Sequence, residues 1–300
     1  MNIDEYNFKD RLIKGMTTDG HFKISVVKTT EVVKTAKDNH SLSLLNTVVL
    51  GKALTATMLL ASELKGEERI QLRMDGDGPI GFLVAEANQV GEIRGYVKNP
   101  VAELDYSNPD VQLGDGIGLG ILTFSKILYN EAEPRTSSIE IVSGDITSDV
   151  AHYLAQSEQI PSALLLDVGI DEEGQVTHAG GLMIQRMPGA PDGQIDMLQE
   201  RLGSFPPIDE LLSDGQYIDE IMTKAVSPLK VKELNRQPVD FFCRCTRKRF
   251  KNALSMLSLD DLKDMEGEGQ EVVCQYCNKK ETISKEEVEQ IILEAQAKMN

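Results

Sequence analysis

Two pairs of cysteines near one end constrain this chain more than any other feature. One residue separates Cys243 from Cys245, two separate Cys274 from Cys277, and 28 residues lie between the pairs. These four are all the cysteines in the 300-residue sequence. Unrelated buried thiols would not be expected to fall into two tight pairs. Thiolates suit Zn2+, which takes four ligands in a tetrahedron at structural sites, and two close pairs on two turns supply that set when folding joins them. We therefore expect Cys243, Cys245, Cys274 and Cys277 to bind one zinc ion. Arg244, Arg247, Lys248, Arg249, Lys251, Lys279 and Lys280 crowd the same stretch. Cations there would offset the formal charge of four thiolates and lower the thiol pKa values; an ordinary solvated basic face is the alternative.

The same sulfurs can exist in a second state. A structural zinc contributes roughly 10–16 kcal/mol to the folding of a small domain. Oxidation of the two close pairs to disulfides would expel the metal, and loops of three or four residues give only about 1.5–2 kcal/mol each in the chain-entropy model. A unit of this size has little core in reserve, so its oxidation is expected to unfold it.

Charge and hydropathy narrow the rest. The net charge is −17, from 31 Lys+Arg and 48 Asp+Glu. Residues 233–300 hold 11 and 13 of these, so the acidic load, −15, sits in residues 1–232. Such a surface repels a phosphate backbone at long range, which argues against a nucleic-acid partner. The most apolar stretch, Leu44 to Ala61, contains Asn46 and Lys52. A central lysine is costly in a bilayer, so we read a buried or half-buried helix and expect no membrane partner. The charged start lacks the apolar core of a signal peptide. A cytoplasmic location follows, where grouped thiols usually bind metal or do redox work.

Along the chain, HFKISVVKTT reads as a strand, and SLSLLNTVVLGKALTATMLLASELKG opens on Ser and closes on Gly66 as a helix should. RIQLRMDGDGPIGFLVAEA is a hairpin around DGDGP; EIRGYVKN, SSIEIVSGDI, SALLLDVGID and QVTHAGGLMIQRM add strands, and DITSDVAHYLAQSEQ a capped helix. Short turns between consecutive strands argue for antiparallel pairing. After Met187 come a breaker cluster, PGAPDGQ, and three short helical pieces. Ile195, Leu198 and Leu202 share one apolar face, and Ile218, Ile221 and Met222 another. Such pieces are marginal alone and need a surface to dock on. The expected fold is α+β: an N-terminal mixed α/β core with largely antiparallel sheet over residues 1–178, a helical linker over 179–232, and a small C-terminal zinc-binding domain over 233–300.

Other signals fall away. Gly76 to Gly81 fits the glycine spacing of dinucleotide sites, but Pro79 and FLVAEA follow where a helix is required, so a turn is expected; GDGIGLG at 114–120 reads the same way. His21, His40, His152 and His178 are scattered, and no hydrolase or metalloprotease motif occurs.

The motifs FFCRCTRKRF and VVCQYCNKK, together with LGKALTATMLLASELKG, MDGDGPIGFLVAEA, SEQIPSALLLDVGID and GGLMIQRMPGA, occur in an order that resembles the redox-regulated holdase chaperones of the thirty-three-kilodalton heat-shock protein family. The resemblance spans nearly the whole chain. Lys248 departs from it, standing where an acidic residue is common, which leaves zinc binding untouched but bears on thiol reactivity. The resemblance implies a protein that is zinc-bound and inactive when reduced. Oxidants convert Cys243–Cys245 and Cys274–Cys277 to disulfides, zinc leaves, the C-terminal domain unfolds and the linker destabilises. Unfolding client proteins are then bound without ATP, by a homodimer, and pass to ATP-dependent refolding chaperones when reducing conditions return. The cysteines act as sensor and metal ligands, with no catalytic residue and no enzyme activity. The competing readings are a nucleic-acid-binding zinc ribbon using RKRFK and an enzyme with a merely structural zinc.

Overall fold

The computed structural model describes residues 9–129, 131, 133–265 and 267–299. In chain order, the elements open with β1 (Arg11–Thr17), β2 (Phe22–Lys28), α1 (Thr30–His40), α2 (Leu44–Ala61), β3 (Arg69–Gly76), β4 (Phe82–Asn88) and β5 (Glu92–Val97). They continue with β6 (Gly120–Ile127), β7 (Arg135–Glu140), α3 (Ile146–Gln156), β8 (Ser162–Ile170) and β9 (Val176–Arg186). Three short helices follow, α4 (Gln194–Leu202), α5 (Ile208–Ser213) and α6 (Ile218–Val226), then β10 (Val231–Pro238) and β11 (Asp240–Phe241). The chain closes with α7 (Arg247–Leu254), α8 (Leu259–Asp264), β12 (Gln270–Val273), β13 (Lys280–Ile283) and α9 (Lys285–Met299). The fold is α+β with mostly antiparallel sheet, as the sequence implies.

Helix α2 organises residues 9–242. Ser43 caps it by accepting the N–H of Asn46, and 15 of its 18 residues are buried. Such an all-round apolar helix must be enclosed on every side. It is long and apolar enough to cross a membrane, yet 83% of it is buried inside the fold. Two sheets enclose it: a five-stranded sheet in the order β10-β1-β2-β9-β8 and a six-stranded sheet in the order β11-β5-β4-β3-β6-β7. Pairing is antiparallel except where β11 runs parallel to β5. Leu72, Met74, Leu83, Ala85 and Phe124 of the larger sheet share one buried cluster with Leu50, Leu54 and Met58 of α2.

The smaller sheet is apolar on both faces, with the two-residue period of a pleated strand. Leu12, Val27, Leu164, Leu166 and Met183 join the cluster around α2. Their neighbours Ile13, Val26, Ala163, Leu182 and Ile184 join a second cluster with Leu198, Leu202, Ile208, Leu211, Ile218, Ile221 and Met222. Helices α4, α5 and α6 thus cover the face that α2 does not. Each side chain of this size removed from water contributes about 1.5–3 kcal/mol, enough to dock helices too short to persist alone. Of the apolar faces expected here, Leu198, Leu202, Ile218, Ile221 and Met222 are buried; the side chain of Ile195 lies outside the described residues.

By contact density the chain divides into residues 1–242 and 243–300, whereas the sequence suggested divisions after 178 and 232. Strand β9 runs unbroken across the first of those positions. Strand β10 runs across the second and pairs with β1 along its whole length, from Arg11 opposite Pro238 to Thr17 opposite Val231. Hydrogen bonding to β1 and then, through β11, to β5 therefore carries the core to Phe242, and both ends of the helical segment are anchored in the same sheet.

The two glycine-rich tracts pack against each other. The N–H groups of Gly78 and Ile80 donate to the carbonyls of Ile117 and Gly116 at 2.8 and 3.0 Å. A Cβ at Gly78 would lie 2.5 and 2.6 Å from the carbonyl oxygens of Asp115 and Gly116, so the approach requires glycine. Strand β4, not a helix, follows Gly81.

Candidate metal centre

The four cysteines lie on two turns of residues 243–300. Cys243 and Cys245 precede α7, whose first turn is capped by Thr246 accepting the N–H of Arg249. That cap fixes where the helix begins and keeps both cysteines outside it. Cys274 and Cys277 sit in the turn joining β12 to β13. There the N–H of Cys274 donates to the carbonyl of Lys279 at 3.0 Å, extending the ladder that ends at Val273 opposite Lys280. The N–H of Asn278 returns to the carbonyl of Cys274 at 2.8 Å. This closes the turn with Asn278 in the left-handed region, φ 54°, a conformation asparagine tolerates better than most side chains.

Folding brings all four sulfurs within 4.8 Å of one another. Cys243 Sγ lies 3.2 Å from Cys245 Sγ and 3.7 Å from Cys274 Sγ, and Cys245 Sγ lies 3.7 Å from Cys277 Sγ. A sulfur–sulfur bond is about 2.05 Å, so the thiols are not bonded to each other. Ligands held about 2.3 Å from a tetrahedral zinc are about 3.8 Å apart. The arrangement therefore fits one ion shared by all four. These are the four cysteines singled out in the sequence, and among the described residues they are the one such group of His, Cys, Asp and Glu; the four histidines do not enter it.

The surroundings explain why a shared cation would be favoured. Burial pushes the Cys245 thiol up and Cys277 up to about 11. Against the upward push of burial, the Cys245 thiol and the backbone N–H groups of Cys277 and Tyr276 donate to Cys274 and draw it below its ordinary value. Sulfurs this close resist sharing negative charge unless a cation stands between them. Beneath them the core is small: Phe250, Leu254, Leu262, Ile283, Val288, Ile291 and Ile292 are buried, with Cys245 and Cys274 packed against them.

The basic residues do not form a simple halo around the sulfurs. Arg247 forks onto Glu281 at 2.5 Å and Glu287 at 2.6 Å, Lys251 reaches Glu287 at 3.2 Å, and Lys280 reaches Glu271 at 2.9 Å. Glu281 and Glu287 carried no motif; only their abundance of cationic neighbours hinted at a partner.

With the geometry in place, comparison with known proteins is informative. A family model described as Hsp33 protein matches residues 10–284. A 33 kDa chaperonin of Desulforamulus reducens is 35% identical over 288 residues, covering 95% of this chain and 97% of that relative. A 33 kDa chaperonin of Latilactobacillus sakei is 37% identical over 292 residues, covering 95% and 99%. The crystal structure of the 33 kDa chaperonin (heat shock protein 33 homolog) of Thermotoga maritima is similar with a TM-score of 0.88 at 33% identity, over 96% of this chain and 99% of that one.

Proposed function

The chain belongs to the Hsp33 protein family, whose members are named as chaperones, and on that premise we propose that it is a redox-switched, ATP-independent holdase held inactive by zinc. The carrying observation is the four-sulfur cluster over a core of seven buried residues. Bound to Cys243, Cys245, Cys274 and Cys277, Zn2+ supplies the cross-link between the two turns that so small a core lacks.

Oxidation removes that cross-link. Two thiolates give up two electrons to one hydrogen peroxide, whose O–O bond breaks and which takes up two protons, leaving one disulfide and two waters. Cys243–Cys245 and Cys274–Cys277 together consume two peroxides, and no sulfur remains to hold the metal. Each disulfide then closes only its own turn and leaves the two turns unconnected. Residues 243–300 lose their fold. Because Phe241 and Cys243 are separated by one residue, the loosened segment begins where β11 ends. Strands β11 and β10 then fray, and α4, α5 and α6 come away from the sheet. The freed apolar surface, Ile13, Val26, Leu182 and Ile184 on the sheet and Ile221 and Met222 on the helices, is an adaptable site for unfolding clients. The active form is a homodimer in the cytoplasm, and it passes clients to ATP-dependent refolding chaperones once thiols are reduced. The protein turns over no substrate; its cysteines sense and hold.

The test is to titrate the reduced, zinc-loaded protein with peroxide while following zinc release with a chelating dye and light scattering of a heat-denaturing client. Suppression of scattering should appear only after zinc leaves. Full suppression by the reduced protein, or none after complete release, would overturn the reading.

A further inference from the structure

Arg247, Glu281 and Glu287 join the two cysteine turns by a route that does not pass through sulfur. Arg247 lies two residues after Cys245 and Glu281 four residues after Cys277. The Arg247 guanidinium donates to Glu281 at 2.5 Å and to Glu287 at 2.6 Å. Glu287 is itself fixed: it accepts the Ser284 N–H at 2.9 Å and the Lys251 ammonium at 3.2 Å, at the start of α9 where the helix dipole favours a carboxylate. An isolated exposed ion pair contributes little. Here one guanidinium bridges two carboxylates, one of them anchored by three donors, and the network spans α7, β13 and α9. Geometry of this kind is where surface charge gains weight, because the fork is preorganised.

We propose that Arg247 and Glu287 are positioning residues for the zinc site, forming an ionic clasp that holds the two cysteine turns in register and sets how readily oxidation releases the metal. This rests on the zinc-switch reading above. A clasp that keeps four sulfurs near their bound positions lowers the ordering cost of binding, so it favours binding and rebinding of the metal. It is built from partly exposed charges, so salt weakens it, whereas metal–thiolate bonds are much less sensitive. Ionic strength then becomes a second input to the switch beside the oxidant.

The experiment compares zinc release, read by a chelating dye under fixed peroxide, for the full-length protein and for R247Q, E287Q and R247Q/E287Q at about 0.05 and about 1 M salt. At low salt each single variant should release zinc about 3- to 10-fold faster than the parent. The double variant should be no faster than the faster single, and at high salt the parent should approach the variants. Circular dichroism of the zinc-loaded forms checks folding, and R247K, which keeps the charge but loses the fork, serves if R247Q does not fold; it too should release faster. Release at the parental rate, or additive effects that persist in high salt as expected of mere helix capping by Glu287, would overturn the clasp while leaving the switch intact. A parent that holds no zinc when reduced would overturn both.

Discussion

Asp167 on β8 accepts a hydrogen bond from the backbone N–H of Ile208 at 2.8 Å, so a strand of the smaller sheet caps the first turn of a helix lying on it. Helix α5 has Pro207 at its N-cap position, with no side-chain cap of its own. Burial, with Asp209 adding like charge, raises the Asp167 carboxyl above its usual range, while the Ile208 N–H opposes the shift. The D167A variant should lose about 1 kcal/mol of docking, the usual worth of a cap. Amide exchange across α5 and α6 should then quicken about fivefold, and client binding should begin at lower peroxide. Unchanged exchange in these helices would show that the cap does not hold them.

Removal of zinc from the reduced protein by a strong chelator should unfold residues 243–300 while leaving the sheets around α2 folded. Loss of roughly 10–16 kcal/mol exceeds the net of about 3–5 kcal/mol that a core of seven buried side chains leaves after the entropy of ordering the chain. Trypsin sensitivity confined to the chain after β9 and strongest in residues 243–300, with strand circular dichroism largely kept, is the expected readout; a resistant C-terminal fragment after metal loss would contradict it.

Peptide mapping after peroxide should find Cys243 joined to Cys245 and Cys274 joined to Cys277. The folded arrangement also places Cys243 beside Cys274 and Cys245 beside Cys277, each at 3.7 Å. Cross-links of that second kind would tie the turns together and keep the domain folded, so their predominance would refute the switch. A serine at any one of the four positions should drop bound zinc from one ion per chain to nearly none.

Asp10 and Lys28 form a buried pair 3.6 Å apart, and Asp10 also accepts the Val32 N–H at 2.8 Å, with Glu31 close by. Burial pushes the Asp10 carboxyl up to about 7, with Lys28 opposing the shift. The native state therefore holds a proton that the unfolded chain has already released above its own value of 3.8. The contribution of Asp10 to stability is present below that value and is lost as pH rises through about 7. The urea midpoint of residues 9–242 should fall between pH 5.5 and 8.5, and D10N should flatten that slope. An identical slope in D10N would rule the pair out as its source.

The sequence made the apolar helix and the cysteine pairs plain. Helix α2 falls where its run of apolar residues ends on either side, because an all-apolar helix admits no other solution than enclosure. The DGDGP hairpin and the four-sulfur set were equally readable, since glycine geometry and zinc chemistry leave few choices. Helix α1 was not read: the strand reading of HFKISVVKTT runs to Thr30, the first residue of the helix, and no element was assigned to residues 31–40. The break between β2 and α1 comes from tertiary bonds: Thr29 Oγ1 to Thr55 Oγ1 at 2.7 Å and the Ala179 N–H to Thr30 Oγ1 at 3.0 Å. Strand β10 was missed for the opposite reason. VKELNRQP has no buried residue and lacks alternation, being an edge strand held by backbone pairing with β1. In the candidate metal centre the four cysteines were legible but Glu281 and Glu287 were not, because the carboxylates that meet Arg247 leave no spacing signature.

Anchoring of both β9 and β10 in one sheet changes what it means for α4, α5 and α6 to let go. At rest the segment between them is a flap stitched at each end to the surface it shields, and once β10 has frayed it stays hinged at β9. Once lifted it cannot diffuse away, and its return is a local event whose speed does not depend on protein concentration. Under the proposed switch, a bound client competes with a lid that is always within reach, which favours prompt hand-over as soon as the far end of the chain refolds.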